Sequence, residues 1–304
     1  MSFVELHTKS IVLEELKMED ILRPIYQERA SSQSTLGILL IEKNEHASSV
    51  TDTFDYILFV VVKEAEDAFF LKHYTYQDKK AALHIVTEAQ LQEWILLGNN
   101  RKVIEWIHQG KILFDRNEYL EKLKTEIREF PFYGRKLKMG IEFAKLIRRY
   151  MDGKSFFETG HYLDAYNHVV HSLHHLARLE MIDQGFYPEV TVWNQVKHIE
   201  PEIYKLYEEL VSSEETLEKR LELLFLASEF LIYSRTEIGS QHIVEIMGQK
   251  EGCWTIAELM EHPELSYYAV DMGVLIEYLI EKNVIHIVKE ETKGKGIYHR
   301  YYTV

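Results

Sequence analysis

The 304-residue sequence has one cysteine, Cys253, and five prolines. A lone cysteine excludes an internal disulfide framework and fits a reducing compartment. No apolar run approaches the roughly 20 residues a bilayer-spanning helix needs. The best, Ile57 to Val62, has the length of a strand. The opening stretch MSFVELHTKSIVLEELKMED has neither a basic start nor an apolar core, so no signal peptide is expected. Positive charge is also short, with 35 Lys and Arg against 49 Asp and Glu, a net −14. A chain of that sign is repelled by phosphate backbones unless it gathers a basic patch. These absences lead us to expect a cytoplasmic protein with no membrane partner.

The residues present are those of a globular chain, 46% hydrophobic and 28% charged, long enough for two or three domains. Residues 1–117 read as an α/β domain. A helical pattern from Leu13 to Arg29 precedes four strand-like runs, Leu36–Ile41, Phe54–Val62, Phe69–Tyr76 and Ala81–Val86. Thr87 opens a helix with Gln90 three residues on, and Gly98 closes it. Lys111–Asp115 reads as a last strand. Residues 118–238 switch to a 3.6-residue period and read as a helical bundle, with helices over 118–129, 137–150, 162–183, 201–211 and 216–233. Residues 239–304 hold three short helical patterns and then two strand runs around Lys293-Gly294-Lys295-Gly296, the order of a winged helix.

Two constellations bear on chemistry. The first is TDTFDYIL, with Asp52 and Asp55 ahead of a strand. Strand alternation puts Asp55 and Ile57 on one face, so a carboxylate pair at that spacing is missing. The later strand AALHIV offers His84 and no acid. The second lies in GHYLDAYNHVVHSLHHLARLE, where five of the 15 histidines fall within Gly160 to His175. At 100° per residue, Asp164, His168, His171, His175 and Arg178 form one stripe roughly 80° wide. The spacings Asp164/His168 and His171/His175 could chelate a transition metal, or the stripe could face an anionic ligand or merely solvent. Trp193 and Lys197, in TVWNQVK, could line the same cleft, although Trp193 could equally be core.

The strand order of the first domain resembles the nucleotidyltransferase superfamily. EWIHQGKILFDRNEYL, RYMDGKSFFETGHYLDAYNHVVHSLHHLARLE, TVWNQVK and the terminal IYHRYY together resemble the nucleotidyltransferase-like proteins of Bacillus-type Firmicutes. That resemblance implies an α+β multidomain chain: a nucleotidyltransferase-like mixed-sheet domain, a helical substrate-binding bundle and a C-terminal winged helix-turn-helix. It also implies Mg²⁺ in any active member, held by two acids of an Asp-x-Asp pattern and a third acid, with a Gly-Ser pair after the first strand. Here Asp55 takes the first acid's place, Asp52 is only a partial stand-in, and no Gly-Ser pair follows the first strand near Glu42-Lys43. Some bundles similar to this one are ribonucleases with an Arg-x4–6-His pair, spelled here only as Arg235…His242.

The winged helix invites a DNA reading that its charge opposes. Residues 240–304 hold six Lys and Arg against ten Asp and Glu. The reading helix, SYYAVDMGVLIEYLIEK, has no base before Lys282, and only Lys293, Lys295 and Arg300 make the wing basic. Its apolar residues Val270, Val274, Leu275, Tyr278 and Leu279 are expected to pack on the bundle or on a second chain.

The expectation is a nucleotidyltransferase-like protein with a degenerate metal and phosphate motif, binding a nucleotide or other anionic small ligand between its first two domains. A homodimer stays open. One alternative is an active enzyme with Asp55 and Asp52 catalytic and Asp55 on Mg²⁺. Another is a DNA-binding regulator using Lys293, Lys295 and Arg300.

Overall fold

The computed structural model describes residues 18–43, 48–98, 100–129 and 132–304. The start of the expected first helix and the expected break at Phe130-Pro131 lie outside them. The chain divides into two compact units. The first ends at Leu91 and also takes in Gln109–Leu120; the second comprises Gln92–His108 and Glu121–Val304.

The first unit is a five-stranded mixed sheet. Its elements are α1 (Met18–Ser31), β1 (Thr35–Glu42), the single turn α2 (Ser48–Thr51), β2 (Tyr56–Val62), β3 (Phe69–Tyr76), β4 (Lys79–Thr87), the start of α3 (Glu88–Leu97) and, after α4 (Arg101–Gln109), β5 (Lys111–Asp115). The strands lie in the order β3-β4-β2-β1-β5. Only β2 and β4 run parallel, and the other three pairings are antiparallel. β1 and β2 are rich in Ile, Leu and Val with almost no polar alternation, which suits strands covered on both faces. On one face Leu22 of α1 packs with Ile38, Leu40, Leu58, Val60 and Leu83. As the sequence predicts, Thr87 caps α3 through the Gln90 N–H at 3.3 Å, and Gly98, at φ +63°, ends it.

The second unit is built on two long helices, α6 (Phe132–Glu158) and α7 (Tyr162–Asp183), preceded by α5 (Tyr119–Glu129). α6 runs eight residues past its expected end. Gly153 lies in this added stretch, where α7 packs close: a Cβ there would stand 3.2 Å from the His168 Cβ. α8 (Val192–Ile199), α9 (Pro201–Ser212) and α10 (Leu217–Ser234) complete the bundle.

The C-terminal part has α11 (Thr236–Met247), α12 (Ile256–Glu261), a 3-10 turn (Ser266–Asp271), α13 (Met272–Glu281), β6 (His286–Glu291) and β7 (Tyr298–Thr303). Thr255 and Glu258 form the capping box of α12. Trp254 bridges Tyr302, adding a short third strand to the wing hairpin. One apolar core runs from Phe143 and Ile147 of α6 to Leu275 and Leu279 of α13, so the winged helix packs on the bundle. The sequence expected one helix over 267–282, with Val270 on its buried face. Instead Ala269, at φ 46° and ψ −128°, separates the 3-10 turn from α13. The kink turns Val270 outward, 78% exposed, and brings Tyr268 and Met272 into the core.

Candidate functional site

Asp55 lies one residue ahead of β2, and its backbone is fixed on both sides. Its N–H donates to the Lys80 carbonyl (2.9 Å) and its carbonyl accepts from the Lys43 N–H (2.8 Å). Its carboxylate accepts the Lys80 backbone N–H at 2.9 Å. The acid thus closes the start of the β2–β4 ladder. Ile57 is buried in the sheet, and its β4 partner is Ala82. Asp52 is exposed on the turn after α2, with φ 53°. His84, opposite Phe59, is the polar residue that β4 offers beyond its lysines and terminal threonine. Among the described residues no three His, Cys, Asp or Glu stand where they could hold a metal ion. The described residues at Asp55 therefore do not supply the clustered carboxylates that a two-Mg²⁺ centre needs.

The histidine stripe of α7 divides. Asp164 and His171 are exposed. His168, His175 and Arg178 turn toward α6. The His168 ring lies 5.2 Å from that of Phe156, and its Nδ1 is 3.8 Å from an Asp152 oxygen. Each expected chelating pair therefore has one member in solvent and one against α6. Trp193 donates through Nε1 to His174 Nε2 (3.1 Å) and stacks on Tyr207, with centroids 4.3 Å apart and planes 8° from parallel. It is a packing residue of the bundle. Lys197 is exposed, its amine 5.0 Å from the centre of the Tyr204 ring. Arg235 and His242 do not form a pair: Arg235 bonds Glu180 at 2.8 Å, while His242 is buried between Tyr268 and Glu264.

What the fold assembles instead is a buried charge cluster between α6 and α7. Glu142 Oε2 lies 2.7 Å from His175 Nδ1 and 3.9 Å from Arg178 Nη1. Burial alone would raise the Glu142 carboxyl. The His175 hydrogen bond and the charges of His175, Lys145 and Arg178 outweigh it and hold it down to about 2. One turn earlier on α6, Lys138 is buried, and desolvation lowers its amine to about 8 despite the nearby Glu142. That amine donates to the Ile95 carbonyl near the end of α3 (2.9 Å) and lies 4.5 Å from the centre of the Tyr187 ring.

Lys138 lines a cleft of about 150 Å³ walled by Ile95, Leu96, Leu123, Ile127 and Tyr187, with Gln92 and Glu126 at its edges. Burial pushes the Tyr187 hydroxyl up to about 12. Sequence reading missed Lys138, Glu142 and Tyr187. A signal was there: Lys138, Glu142 and Lys145 recur at intervals of four and three, the spacing of one helix face, among the apolar residues Leu137, Met139, Ile141, Phe143 and Leu146.

Three family matches run along the chain. A family described as nucleotidyltransferase-like matches residues 18–135, a YgxA-like substrate binding domain matches 136–235, and a helix-turn-helix domain matches 241–304. The uncharacterized protein YgxA of Bacillus subtilis (strain 168) is 55% identical over 286 residues, 94% of this chain and 97% of that one. The chain belongs to the YgxA family of nucleotidyltransferase-like proteins. A crystal structure of a nucleotidyltransferase-like protein from Exiguobacterium sibiricum 255-15 is 42% identical and superposes with a TM-score of 0.79 over 94% of this chain and 99% of that one.

In this YgxA-like chain the wing of the helix-turn-helix carries exposed basic residues. Lys293 and Lys295 are exposed at the turn, and Arg300 is paired with Glu277 of α13 at 2.8 Å. Gly273, Val274, Glu277, Ile280 and Glu281 of α13 line a groove with Arg148 and Met151 of α6. Arg148 itself bonds Asp271 and the Val270 carbonyl. No helix of the described residues is long and apolar enough to cross a membrane.

Proposed function

We propose that the protein binds a nucleotide or another anionic small molecule without transferring it, and that the Lys138 cleft is the binding site. The observation that carries this reading is a buried amine in the wall of an apolar slot. A cavity of this volume takes a single aromatic ring. Five apolar or aromatic walls suit a flat base, Gln92 and Glu126 offer acceptors and donors at its edges, and the Lys138 ammonium suits an anionic oxygen. The lining combines Gln92, Leu123 and Glu126 of the nucleotidyltransferase-like match with Lys138 and Tyr187 of the substrate-binding match. Transfer chemistry would need a second carboxylate beside Asp55, and the sheet supplies Ile57 there.

Calorimetric titration with ATP, GTP, CTP and UTP in EDTA tests the reading. At least one should bind, and Lys138→Met should weaken it tenfold or more with the circular dichroism spectrum kept. Affinity should fall as pH rises through about 8, where Lys138 deprotonates. Unchanged affinity in Lys138→Met would place the ligand elsewhere, and no heat with any nucleotide would end the nucleotide reading.

A further inference from the structure

α10 is apolar on two faces. Leu221, Leu224, Phe225, Ser228 and Ile232 are buried in the bundle. Leu223, Leu226, Phe230 and Tyr233 are uncovered, from 49% exposed at Leu223 to 72% at Phe230. Steps of three, four and three residues put these four on one stripe of the helix. A surface helix ordinarily turns polar residues outward, so the stripe calls for a cover.

We propose that a second copy of this chain covers it, α10 against α10, antiparallel about a two-fold axis at the level of Ser228. A two-fold interface must complement itself. Pairing about residue 228 sets Leu223 of one copy against Tyr233 of the other and Leu226 against Phe230, a smaller side chain meeting an aromatic ring in every layer. The charges at the ends agree with this register. Lys219 at the start of the stripe falls opposite Glu237 in the first turn of α11, and both are exposed. Glu222 falls beside Lys282, whose amine lies 6.0 Å from the centre of the Tyr233 ring.

In the single chain Lys219 pairs with Glu222 at 2.7 Å, but both side chains are about half exposed, and such a surface pair holds little energy against exchange. The area fits as well. Two leucines and two aromatics exposed to this degree offer on the order of 500 Å² of apolar surface per copy, and a polar rim brings that near the roughly 800 Å² per partner of a stable complex. The rim acids Glu222 and Glu229 disfavour the alternative covers. An anionic lipid surface or a nucleic acid wants lysine and arginine beside the apolar stripe.

Sedimentation equilibrium of the full chain at about 50 µM, well above a micromolar dissociation constant, should give twice the 36.0 kDa chain mass. Leu226→Glu with Phe230→Glu should raise the dissociation constant at least tenfold, with circular dichroism and melting temperature kept. Lys219→Glu and Glu237→Lys should each weaken the dimer, and the two together should restore it, which a folding defect cannot do. A wild-type monomer at this concentration overturns the proposal. So does a dimer indifferent to the α10 substitutions. Failure of the double charge swap to restore association overturns the antiparallel register.

Discussion

The Asp55 carboxylate accepts the backbone N–H of Lys80 at 2.9 Å, and the Asp55 N–H donates back to the Lys80 carbonyl at 2.9 Å. The acid that would begin a metal site thus also joins two strands. Asp55→Asn keeps an acceptor and should leave the melting temperature within a degree or two. Asp55→Ala should cost about 1.5–3 kcal/mol, the worth of a hydrogen bond to a charged group. Mg²⁺ should not raise the melting temperature of the wild type. A Mg²⁺-dependent rise that Asp55→Asn abolishes would show that the carboxylate is free to bind metal.

Gly239 of α11 tests the seating of the winged helix. A Cβ there would collide with the Phe143 ring of α6. Alanine inside a helix normally stabilises by about 1 kcal/mol over glycine. Here overpacking should reverse the sign, and Gly239→Ala should destabilise by about 1–3 kcal/mol in a urea melt. Stabilisation would mean that the ring does not lie on the glycine.

Glu142 sets an acid limit. Its carboxyl titrates near 2 in the folded chain, below its ordinary 4.5. A depressed carboxylate gives stability that is fully present above 4.5 and is lost as pH falls toward 2. Glu142→Gln should flatten that part of the stability–pH curve. At neutral pH it should cost about 3–5 kcal/mol, because Arg178 and Lys138 remain buried without their acid. A variant with the wild-type acid slope would assign the loss to other groups.

Much of the fold was legible in the sequence because its signals are local. Ile- and Val-rich runs gave the strands of the sheet, and the Thr87 cap and Gly98 bounded α3. The misses came from glycines and kinks decided by distant partners. The expected helix end at 150 and the expected boundary at 239 both fall near glycines, Gly153 and Gly239, that sit inside helices where another helix presses close, against His168 and Phe143. Ala269 gives no local sign of its left-handed backbone. At the site, periodicity found the face of α7 but not its covering. His168 and Arg178 turn inward because α6 packs along α7, and a single-helix projection has no knowledge of α6. Lys138 and Glu142 went unread because charged residues on a long helix are ordinarily assigned to solvent.

The wing predicts weak attraction to DNA. With Lys293, Lys295 and Arg300 as its basic groups, the salt slope of non-specific binding should not exceed about −3. Glu277 and Glu281 line the α13 groove, where reading a major groove wants bases and amides. Gel shifts at about 0.15 M salt should show no sequence-specific duplex complex, since little attraction survives that screening. A footprint lost on Lys293→Glu with Lys295→Glu would make the protein a regulator.

Binding without transfer is open to one decisive assay: incubating the protein with α- and γ-labelled nucleoside triphosphates, Mg²⁺ and candidate protein, RNA and small-molecule acceptors. Binding without transfer gives retained label that is released intact on denaturation, with no labelled product above a protein-free blank. Labelled product that forms in wild type and disappears in Asp55→Asn would contradict it and make the protein an active nucleotidyltransferase.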